Sequence, residues 1–495
     1  MNPVIFGKFT DLCSSAPDHS FPFLPAYPER TKHGGLRPRE GLFTSRRRLE
    51  RSGKMKTFLV RFFVVLLGIF LSVAGVQAKD IYVSKERGDN QNIGTREAPL
   101  KNLEAALKKA QPGDRILVAE GNYTGLRDRG YLEAPQQVIL LGGYSPDFAR
   151  RDILRYPTTV IPGRESGESG RKPLLSILKV PPGSVFVLDG FIFDRGEQNA
   201  YSAKESVIEG LGGRLLRATE RPPDGPATVE EPLVCFSNKV NAKVEGDLVI
   251  RNCVFLNGHF AIQGGFKRGT VSILNNVFVA NKMAAVEVYG LGGKKGPRGP
   301  IEKDGHVEIR GNTILFTWSR LKDFADMGYG IRVMTMVSYD IHENIIGGNL
   351  LAGIDHTRSN RNEWVRIDNN LFFMNKQAPL LYVEPGRSAA GKMERIKTGD
   401  MNEDLGLAGC RGNTDRVTHP IPVHKRYFEG FLQARYSEKE NFDPDSPANV
   451  LREVMGLPKQ GKLITQVNMF ANRYPLPDAL RLFGALPSYG AQMPR

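Results

Sequence analysis

Four polar residues occupy equivalent places in four segments that otherwise resemble one another. The segments read FAIQGG, AAVEVYG, YGIRVMT and AGIDHTR, and the polar residues are Gln263, Glu287, Arg332 and Asp355. Each follows an aliphatic residue. If the aliphatic side chains point into a core, the alternation of a β-strand turns the four polar side chains outward. We expect them to form one row on the outer face of a sheet.

One chemistry that fits this row is β-elimination of a uronide. Arg332 or Arg358 would neutralise the carboxylate of the substrate, so that the adjacent proton becomes acidic. His356, Tyr289 or a lysine would then remove that proton. His356 follows Asp355 in its strand, and alternation also favours an inward, buried position for this histidine.

A second chemistry is glycoside hydrolysis, with Glu287 and Asp355 as acid and base. Two strand spacings separate these residues by about 9.6 Å, close to the upper end of the roughly 6.5–9.5 Å range of inverting enzymes. The same two carboxylates could instead bind Ca²⁺, which prefers oxygen ligands. A succession of Glu, Arg and Asp on one face is also typical of a structural ion-pair ladder.

Two insertions flank the strands that carry the row. GLGGKKGPRGPIEKDG follows the Glu287 strand, and TWSRLKDFADM precedes the Arg332 strand. We expect them to wall a groove, in which Trp318 could stack on a sugar ring. The basic residues near the groove favour an anionic glycan; they are Lys294, Lys295, Arg298, Arg358 and Arg361.

The elements that would position this site are imperfect repeats. DLVIRNCVF, TVSILNNVF, HVEIRGNTI, SYDIHENII and WVRIDNNLF align an isoleucine column, followed by a Cys or Asn column and a Phe or Ile column. One coil per repeat would stack each column into a continuous core, with asparagine at a tight turn. The repeats predict an all-β, right-handed parallel β-helix, with a β-sandwich as the distant alternative. The isoleucines are Ile250, Ile273, Ile309, Ile341 and Ile367.

The segment that precedes these repeats resembles a known family. Its order is an IYVS strand, a GTREAPLKNLEAAL helix, a PGDRILVAEGNYTG turn and strand, and VILLGGYSPDFARRD. This order is similar to the N-terminal region of secreted parallel β-helix proteins of the pectate-lyase-like superfamily, both family-nine pectate-lyase-like proteins and uncharacterised ones. The resemblance implies the fold but leaves the activity open, because the superfamily includes lyases, hydrolases, epimerases and non-enzymes. The sequence has no DPHD, no NTD that is followed by paired aspartates and RIK, and no WIDH with downstream arginines, so no catalytic set is carried over.

The start of the chain predicts export. From Met55 to Ala78, Lys56 and Arg61 precede an apolar run and a small-residue cleavage pattern, which is typical of a signal peptide. We expect translation to start at Met55, and an uncleaved anchor is the weaker alternative. Removing residues 1–78 leaves 56 Lys and Arg against 48 Asp and Glu, a net charge of +8. This excess is compatible with an anionic partner, and export argues against nucleic acid.

The remaining organisation follows from these segments. Residues 1–54 are a disordered or wrongly assigned leader and 55–78 the signal peptide. Residues 79–150 form an N-terminal cap and the first coils, and 151–386 form the β-helix with a long insertion at 194–246. Residues 387–495 are less regular, contain two short helices, and are expected to cap the open end.

Taken together, the residues favour a secreted β-helix protein that binds or cleaves an acidic polysaccharide, with lyase chemistry ahead of hydrolysis. The alternative is a non-catalytic cell-surface or periplasmic scaffold for adhesion or glycan binding. No cofactor is required, although Ca²⁺ would suit Glu287 and Asp355. The three exported cysteines form no CxxC motif and no zinc-like spacing. The pattern does not determine their pairing or the oligomeric state; they are Cys235, Cys253 and Cys410.

Overall fold

The computed structural model describes most of the chain from Ala78 onward. The described ranges are 78–163, 172–196, 231–237, 240–296, 299–317, 328–358, 360–384, 393–403, 405–435, 438–459 and 473–494. The predicted signal peptide before Ala78 and the side chains of Trp318 and Arg298 lie outside these ranges. Lys295 is described only through its backbone, in the short strand Lys295–Gly296.

Three sheets wind around one core, and successive strands of each coil belong to sheets 1, 2 and 3 in turn. Sheet 1 has the strands Asp80–Val83, Arg115–Ala119, Ile139–Tyr144, Val185–Asp189, Asp247–Arg251, Thr270–Leu274, Gly305–Arg310, Val337–His342 and Val365–Asp368. Sheet 2 has Gly121–Tyr123, Thr158–Val160, Ile192–Asp194, Val254–Leu256, Val277–Val279, Thr313–Leu315, Ile345–Gly347 and Leu371–Phe373. Sheet 3 has Leu132–Ala134, Leu175–Ile177, Val234–Phe236, Ile262–Phe266, Ala284–Gly290, Tyr329–Val333, Ala352–His356, Ala378–Tyr382 and Glu394–Ile396.

The pairing of these strands confirms the parallel β-helix. All neighbours within the three sheets are parallel except the last strand of sheet 3, Glu394–Ile396, which is antiparallel. The predicted isoleucine column is in register from Ile250 to Ile367, and its members are fully buried. In the neighbouring column the rings of Phe193, Phe255 and Phe278 stack with centroid distances of 5.5 and 4.8 Å. Parallel strands joined in this way wind right-handed.

An asparagine ladder holds the turns between sheets 1 and 2. The residue before each ladder position has a left-handed backbone; at Asn252, Asn275 and Asn369 φ is 53°, 56° and 53°. This conformation suits asparagine and glycine. Each ladder side chain accepts a hydrogen bond from the backbone of the preceding coil, as Asn312 does from Asn276 at 2.9 Å. The ladder members are Asn276, Asn312, Asn344, Asn370 and Asn413.

The N-terminal end is covered as expected. The helix Leu103–Lys109 buries Leu103, Ala106 and Leu107 against the first coils. Apolar residues at this spacing lie on one helix face, and they remove the open end of the core from solvent.

The predicted insertion at 194–246 contains parts of the β-helix. Val234–Phe236 is a strand of sheet 3, and Lys243–Val244 pairs in parallel with Lys179–Val180. Arg195 is fully buried and donates to the carbonyls of Lys172 and Pro232, at the ends of the adjoining segments. The excursion from the coils therefore lies between Arg195 and Glu231.

The C-terminal region does more than cap the open end. Residues 394–414 do close it, through the strand Glu394–Ile396, the helix Thr398–Met401 and Asn413 at the end of the ladder. The chain beyond then runs back along the outer face of sheet 2. It contains the helices Lys425–Arg435, Glu438–Phe442, Pro447–Val454 and Leu476–Leu480.

This returning segment explains why the sheet 2 strands are apolar on both faces. Phe255 points into the core, whereas Val254 and Leu256 pack outward against the C-terminal segment. Phe428 and Tyr474 are among the buried residues of that second cluster. A sheet covered on both faces carries continuous apolar runs instead of an alternating pattern.

Candidate functional site

The expected polar row is present on sheet 3. Gln263 pairs with Glu287, Glu287 with Arg332, and Arg332 with Asp355, each one coil further along the β-helix. The residues before them, such as Ile262 and Ile331, are buried in the core. Strand alternation thus turns the polar residues to the opposite face.

Hydrogen bonds connect the row from end to end. Gln263 Nε2 donates to Glu287 Oε1 at 2.7 Å, and Arg332 Nη1 donates to Glu287 Oε2 at 3.0 Å. Arg332 Nε donates to Asp355 Oδ2 at 3.0 Å, while Thr357 donates to Asp355 Oδ1 through its hydroxyl and backbone N–H. Every oxygen of the two carboxylates therefore accepts at least one hydrogen bond.

The row is buried, which sets its electrostatics. Glu287 and Arg332 are each 6% exposed, and Asp355 is fully buried. Burial raises the pKa of Asp355 above its usual range, although Arg332 and Thr357 oppose the shift. Burial also opposes the charge of Arg332, but Asp355 and Glu287 together raise the pKa of its guanidinium. Arg332 therefore stays cationic between its two partners.

Additional polar residues border the row on the same sheet. Cys235 pairs in register with Gln263, and its Sγ lies 3.3 Å from the hydroxyl of Ser237. Ser237 also hydrogen bonds to Tyr289, whose pKa is raised by burial. Tyr289 was a candidate base in the sequence, and it lies two residues beyond Glu287 on the same strand.

His356 lies away from the row. Its side chain is fully buried; Nε2 is 3.1 Å from the side-chain oxygen of Asn362, and the ring makes an edge contact with Tyr382. Burial lowers its pKa to about 4. His356 therefore takes the inward, buried position that the strand alternation also allowed. Its ring cannot reach a substrate on the outer face of sheet 3.

The basic residues expected to form a wall are exposed but separate from the row. Lys294 pairs with Glu302 at 2.8 Å, and Arg361 pairs with Glu363 and lies 5.5 Å from the Trp364 ring. Arg358 is exposed. Among the described residues, none of these three side chains forms an ion pair with the row.

The two carboxylates of the row are not arranged as a metal site. The guanidinium of Arg332 lies between Glu287 and Asp355, where a Ca²⁺ ion bound by both would have to lie. Across the described ranges, no group of three or more His, Cys, Asp or Glu side chains could hold a metal ion.

A second polar face, on sheet 1, escaped the sequence prediction. His306 pairs with Ser338, Glu308 with Asp340, and Arg310 with His342, and all six residues alternate with the core isoleucines. The contacts are looser than in sheet 3: His306 Nε2 is 3.8 Å from Asp340, and His342 Nε2 is 3.9 Å from Glu308. The signal was available, because HVEIRG and SYDIHE place polar residues on both sides of each isoleucine.

One segment of the chain matches the model of a protein family. Residues 86–146 match a family described as "Protein of unknown function (DUF1565)". The segment includes PGDRILVAEGNYTG and VILLGGY, on which the β-helix resemblance rests. No curated protein matches the sequence.

Three solved structures align with parts of the chain. A GH136 lacto-N-biosidase from Eubacterium ramulus has a TM-score of 0.30 at 13% identity, over 66% of this chain and 61% of that enzyme. The pectate lyase Pel9A has a TM-score of 0.25 at 14% identity, over 75% and 84%. A rhamnogalacturonan lyase has a TM-score of 0.19 at 12% identity, over 84% and 100%. This chain thus spans about three fifths of the lacto-N-biosidase, and no residue role transfers at these identities.

The described helices are all short. None of them is long and apolar enough to cross a membrane.

Proposed function

We propose that this protein is an exported, carbohydrate-active β-helix protein that acts on a polysaccharide at the outer face of sheet 3. The supporting observation is the hydrogen-bonded row Gln263–Glu287–Arg332–Asp355, in which two carboxylates lie on the coils on either side of one cation. Two long insertions of the sequence connect a strand of sheet 2 to a strand of sheet 3, one before Val234–Phe236 and one before Tyr329–Val333. Long insertions in compact domains are commonly functional.

The geometry favours hydrolysis over β-elimination. Arg332 already pairs with Glu287 and Asp355, so it is not available to neutralise the carboxylate of a uronide. His356 is buried away from the face. Asp355, whose pKa is raised by burial, is suited to donate a proton, and Glu287 is suited to accept one. Arg332 would act as a positioning residue that holds both.

The glycan is proposed to be acidic because the chain from Lys79 onward carries a net charge of +8. Lys294 and Arg358 are exposed, and Arg361 is partly exposed. An anionic polymer would gain from these charges at a distance, with an affinity that falls as salt rises.

The alternative is a non-catalytic glycan-binding scaffold. It is favoured by one observation: the four carboxylate oxygens of the row are already hydrogen bonded, and the side chains are almost fully buried. A satisfied, buried ion-pair network is a common structural feature.

Hydrolysis assays on matched variants separate the two. The full chain, Glu287→Gln and Asp355→Asn are incubated with pectate, alginate, glycosaminoglycans and neutral glycans, and reducing ends and unsaturated uronides are followed. We expect wild-type hydrolysis of one glycan and a loss of at least about a hundredfold in each variant, the lower range for general acid–base groups. Glu133→Gln is the control, because Glu133 is exposed in the same row at the far end of the sheet.

Three results would decide the matter. Activity that survives in folded Glu287→Gln and Asp355→Asn would exclude the row as the catalytic site. Unsaturated products would replace hydrolysis by elimination. Binding without any product would establish the scaffold alternative.

Export is part of the same proposal. We infer that Met55–Ala78 is removed during secretion or transfer to the periplasm. Sequencing the N-terminus of the native protein should give Lys79 as the first residue, and a mature protein that retains residues before Met55 would exclude this cleavage.

A further inference from the structure

Two neighbouring strands of sheet 1 bring a serine, a histidine and an aspartate together on the outer face. His306 pairs in register with Ser338 on the next coil, and Asp340 lies two residues beyond Ser338 on the same strand. The residues between them, Val307 and Tyr339, are buried in the core. Strand alternation therefore turns the three polar side chains to the same outer surface.

The hydroxyl group of Ser338 has a proton acceptor and a cation beside it. His306 Nδ1 lies 3.0 Å from Ser338 Oγ, and Lys303 Nζ donates to the same oxygen at 3.2 Å. The carbonyl oxygen of Gly305 lies slightly further away, at 3.3 Å. An ammonium group can only donate, so the single hydroxyl proton is free to point to the imidazole, which is the nearer acceptor. This is the contact that a histidine needs to activate a serine.

Asp340 is placed to orient the imidazole. Its Oδ2 lies 3.8 Å from His306 Nε2, and Arg366 Nε lies 3.6 Å from its other oxygen. A carboxylate beside Nε2 favours the tautomer with the proton on that nitrogen, which leaves Nδ1 to accept. Contacts of this kind are often long before a substrate binds, and they shorten in the complex.

We propose that these residues form a second catalytic site, separate from the row on sheet 3, which hydrolyses esters of short carboxylic acids. Ser338 is the nucleophile, His306 the general base and Asp340 a positioning residue. A nucleophile, a base within hydrogen-bond distance and a third group that orients the base are the parts that acyl transfer requires. Ser338 is only 7% exposed, so only a small acyl group can reach its oxygen.

The reaction balances without any other reactant than water. Ser338 Oγ attacks the carbonyl carbon of the ester, and its proton passes to His306 Nδ1. The bond between the acyl carbon and the alcohol oxygen breaks, and the alcohol leaves with that proton. Water then attacks the acyl-serine and gives a proton to His306, which returns it to Ser338 Oγ as the carboxylic acid departs. The charge of Lys303 stabilises the oxyanion that forms beside Oγ in both steps.

The two proposed activities can be measured separately. Ester hydrolysis releases an acid and an alcohol, whereas glycan hydrolysis releases a reducing end. The two sites lie on different sheets and share no residue. Failure of the glycan assays therefore does not bear on this site, and failure of the ester assays does not bear on the row.

Labelling of the full chain with a fluorophosphonate tests the nucleophile, because this probe reacts covalently with activated serines. We expect one probe molecule per chain, with peptide mass mapping placing it on Ser338. Ser338→Ala should take up no probe. Ser272→Ala is the matched control, because Ser272 lies on the same face beside a carboxylate, with its Oγ 3.4 Å from Glu308 Oε2, and it should be labelled as the wild type is. A folded wild-type chain that is not labelled at Ser338 would overturn the proposal.

Steady-state hydrolysis of p-nitrophenyl acetate and p-nitrophenyl octanoate tests the catalysis. We expect the acetate to be the better substrate, and kcat/KM to fall at least about a hundredfold in Ser338→Ala and in His306→Gln. Asp340→Asn should lower kcat and leave KM unchanged, because it acts only through the imidazole. His342→Gln is the control, since His342 lies on the same face beside Glu308, and it should keep wild-type activity. Hydrolysis that persists in folded Ser338→Ala, or that falls equally in His342→Gln and His306→Gln, would contradict this site.

Discussion

At the scale of single residues, Arg332 shows how a buried charge depends on its partners. It neutralises two carboxylates that are themselves almost fully buried. Removing only the cation leaves Glu287 and Asp355 without compensation. Removing all three charges leaves a neutral set of similar volume, which is often nearly as stable as the ion pairs it replaces.

Arg332→Met should therefore lower the free energy of unfolding by about 3–5 kcal/mol. The triple variant Glu287→Gln, Arg332→Met, Asp355→Asn should recover most of that loss. Urea denaturation of the two variants and the wild type measures both values. If the triple variant is no more stable than Arg332→Met, the charged groups of the row stabilise the coils directly, beyond compensating for one another's burial.

His356 predicts a pH dependence of stability. Burial lowers its folded-state pKa to about 4, below the ordinary histidine value of about 6.5. As the pH falls, His356 is therefore protonated in the unfolded chain before it is protonated in the folded protein. The contribution of His356 to stability is complete above about pH 6.5 and is lost as the pH falls towards 4, by up to about 3 kcal/mol.

Urea unfolding between pH 7 and pH 4.5 tests this dependence. The wild type should lose stability more steeply than His356→Gln, which cannot be protonated and can still hydrogen bond to Asn362. Parallel pH profiles for the two proteins would contradict the buried, neutral state of the histidine.

At the scale of elements, the asparagine ladder is visible in the sequence, because one asparagine recurs at the same place in the repeats. Asn312 Oδ1 accepts from the backbone of Asn276, and its Nδ2 donates to the carbonyl of Ile273 and to Asn344 Oδ1.

Asn312→Ala leaves buried backbone groups unpaired and should lower the free energy of unfolding by about 2–3 kcal/mol. Thermal or urea unfolding measures the change. Asn122→Ala, at an exposed strand position, should stay within about 0.5 kcal/mol of wild type.

The repeats made much of the fold predictable, for a physical reason. Each coil presents the same positions to the same core, so the columns appear in the sequence as recurring letters. A second ladder was equally readable, since Asn281, Asn349 and Asn375 each follow a member of the first by five residues. The order of the polar row also followed from the register of the strands.

The unpredictable parts depend on contacts between distant residues. The apolar flanks Val254 and Leu256 indicate a covered sheet, but nothing in the local sequence says that residues beyond 420 cover it. The hydrogen bonds that occupy every carboxylate oxygen of Glu287 and Asp355 likewise depend on side-chain geometry across coils. Gly409 and Arg411 extend sheet 1 beyond its last strand, outside the repeat pattern.

At the scale of the whole molecule, the C-terminal segment holds several coils together. Arg473 donates to Asp194 at 2.6 Å, Tyr474 N–H to Asn257, and Ala491 N–H to Thr313. These contacts span four successive coils, from the strand Ile192–Asp194 to the strand Thr313–Leu315. A solenoid otherwise has only neighbour contacts and can unfold from its ends.

A chain that stops after Arg416 keeps the end cap but loses this cover. It exposes the apolar outer face of sheet 2, and we expect it to aggregate, because large exposed apolar patches promote association. Size-exclusion chromatography and light scattering measure this outcome. Tyr474→Ala, which keeps the segment, should remain monomeric but lose about 3–5 kcal/mol. A soluble, monomeric truncated chain with wild-type stability would contradict the role of the segment.

The position of this cover has a consequence for biosynthesis. Sheet 2 is complete once the ribosome has added Phe373, yet the residues that cover it extend to Ala491. At a synthesis rate of roughly 5–20 residues per second, the nascent chain carries an uncovered apolar surface for on the order of ten seconds. The proposed export would delay this closure further, because a chain that crosses the membrane unfolded can form and cover sheet 2 only after translocation. We therefore expect its newly made chains to depend on a holding chaperone on both sides of that membrane.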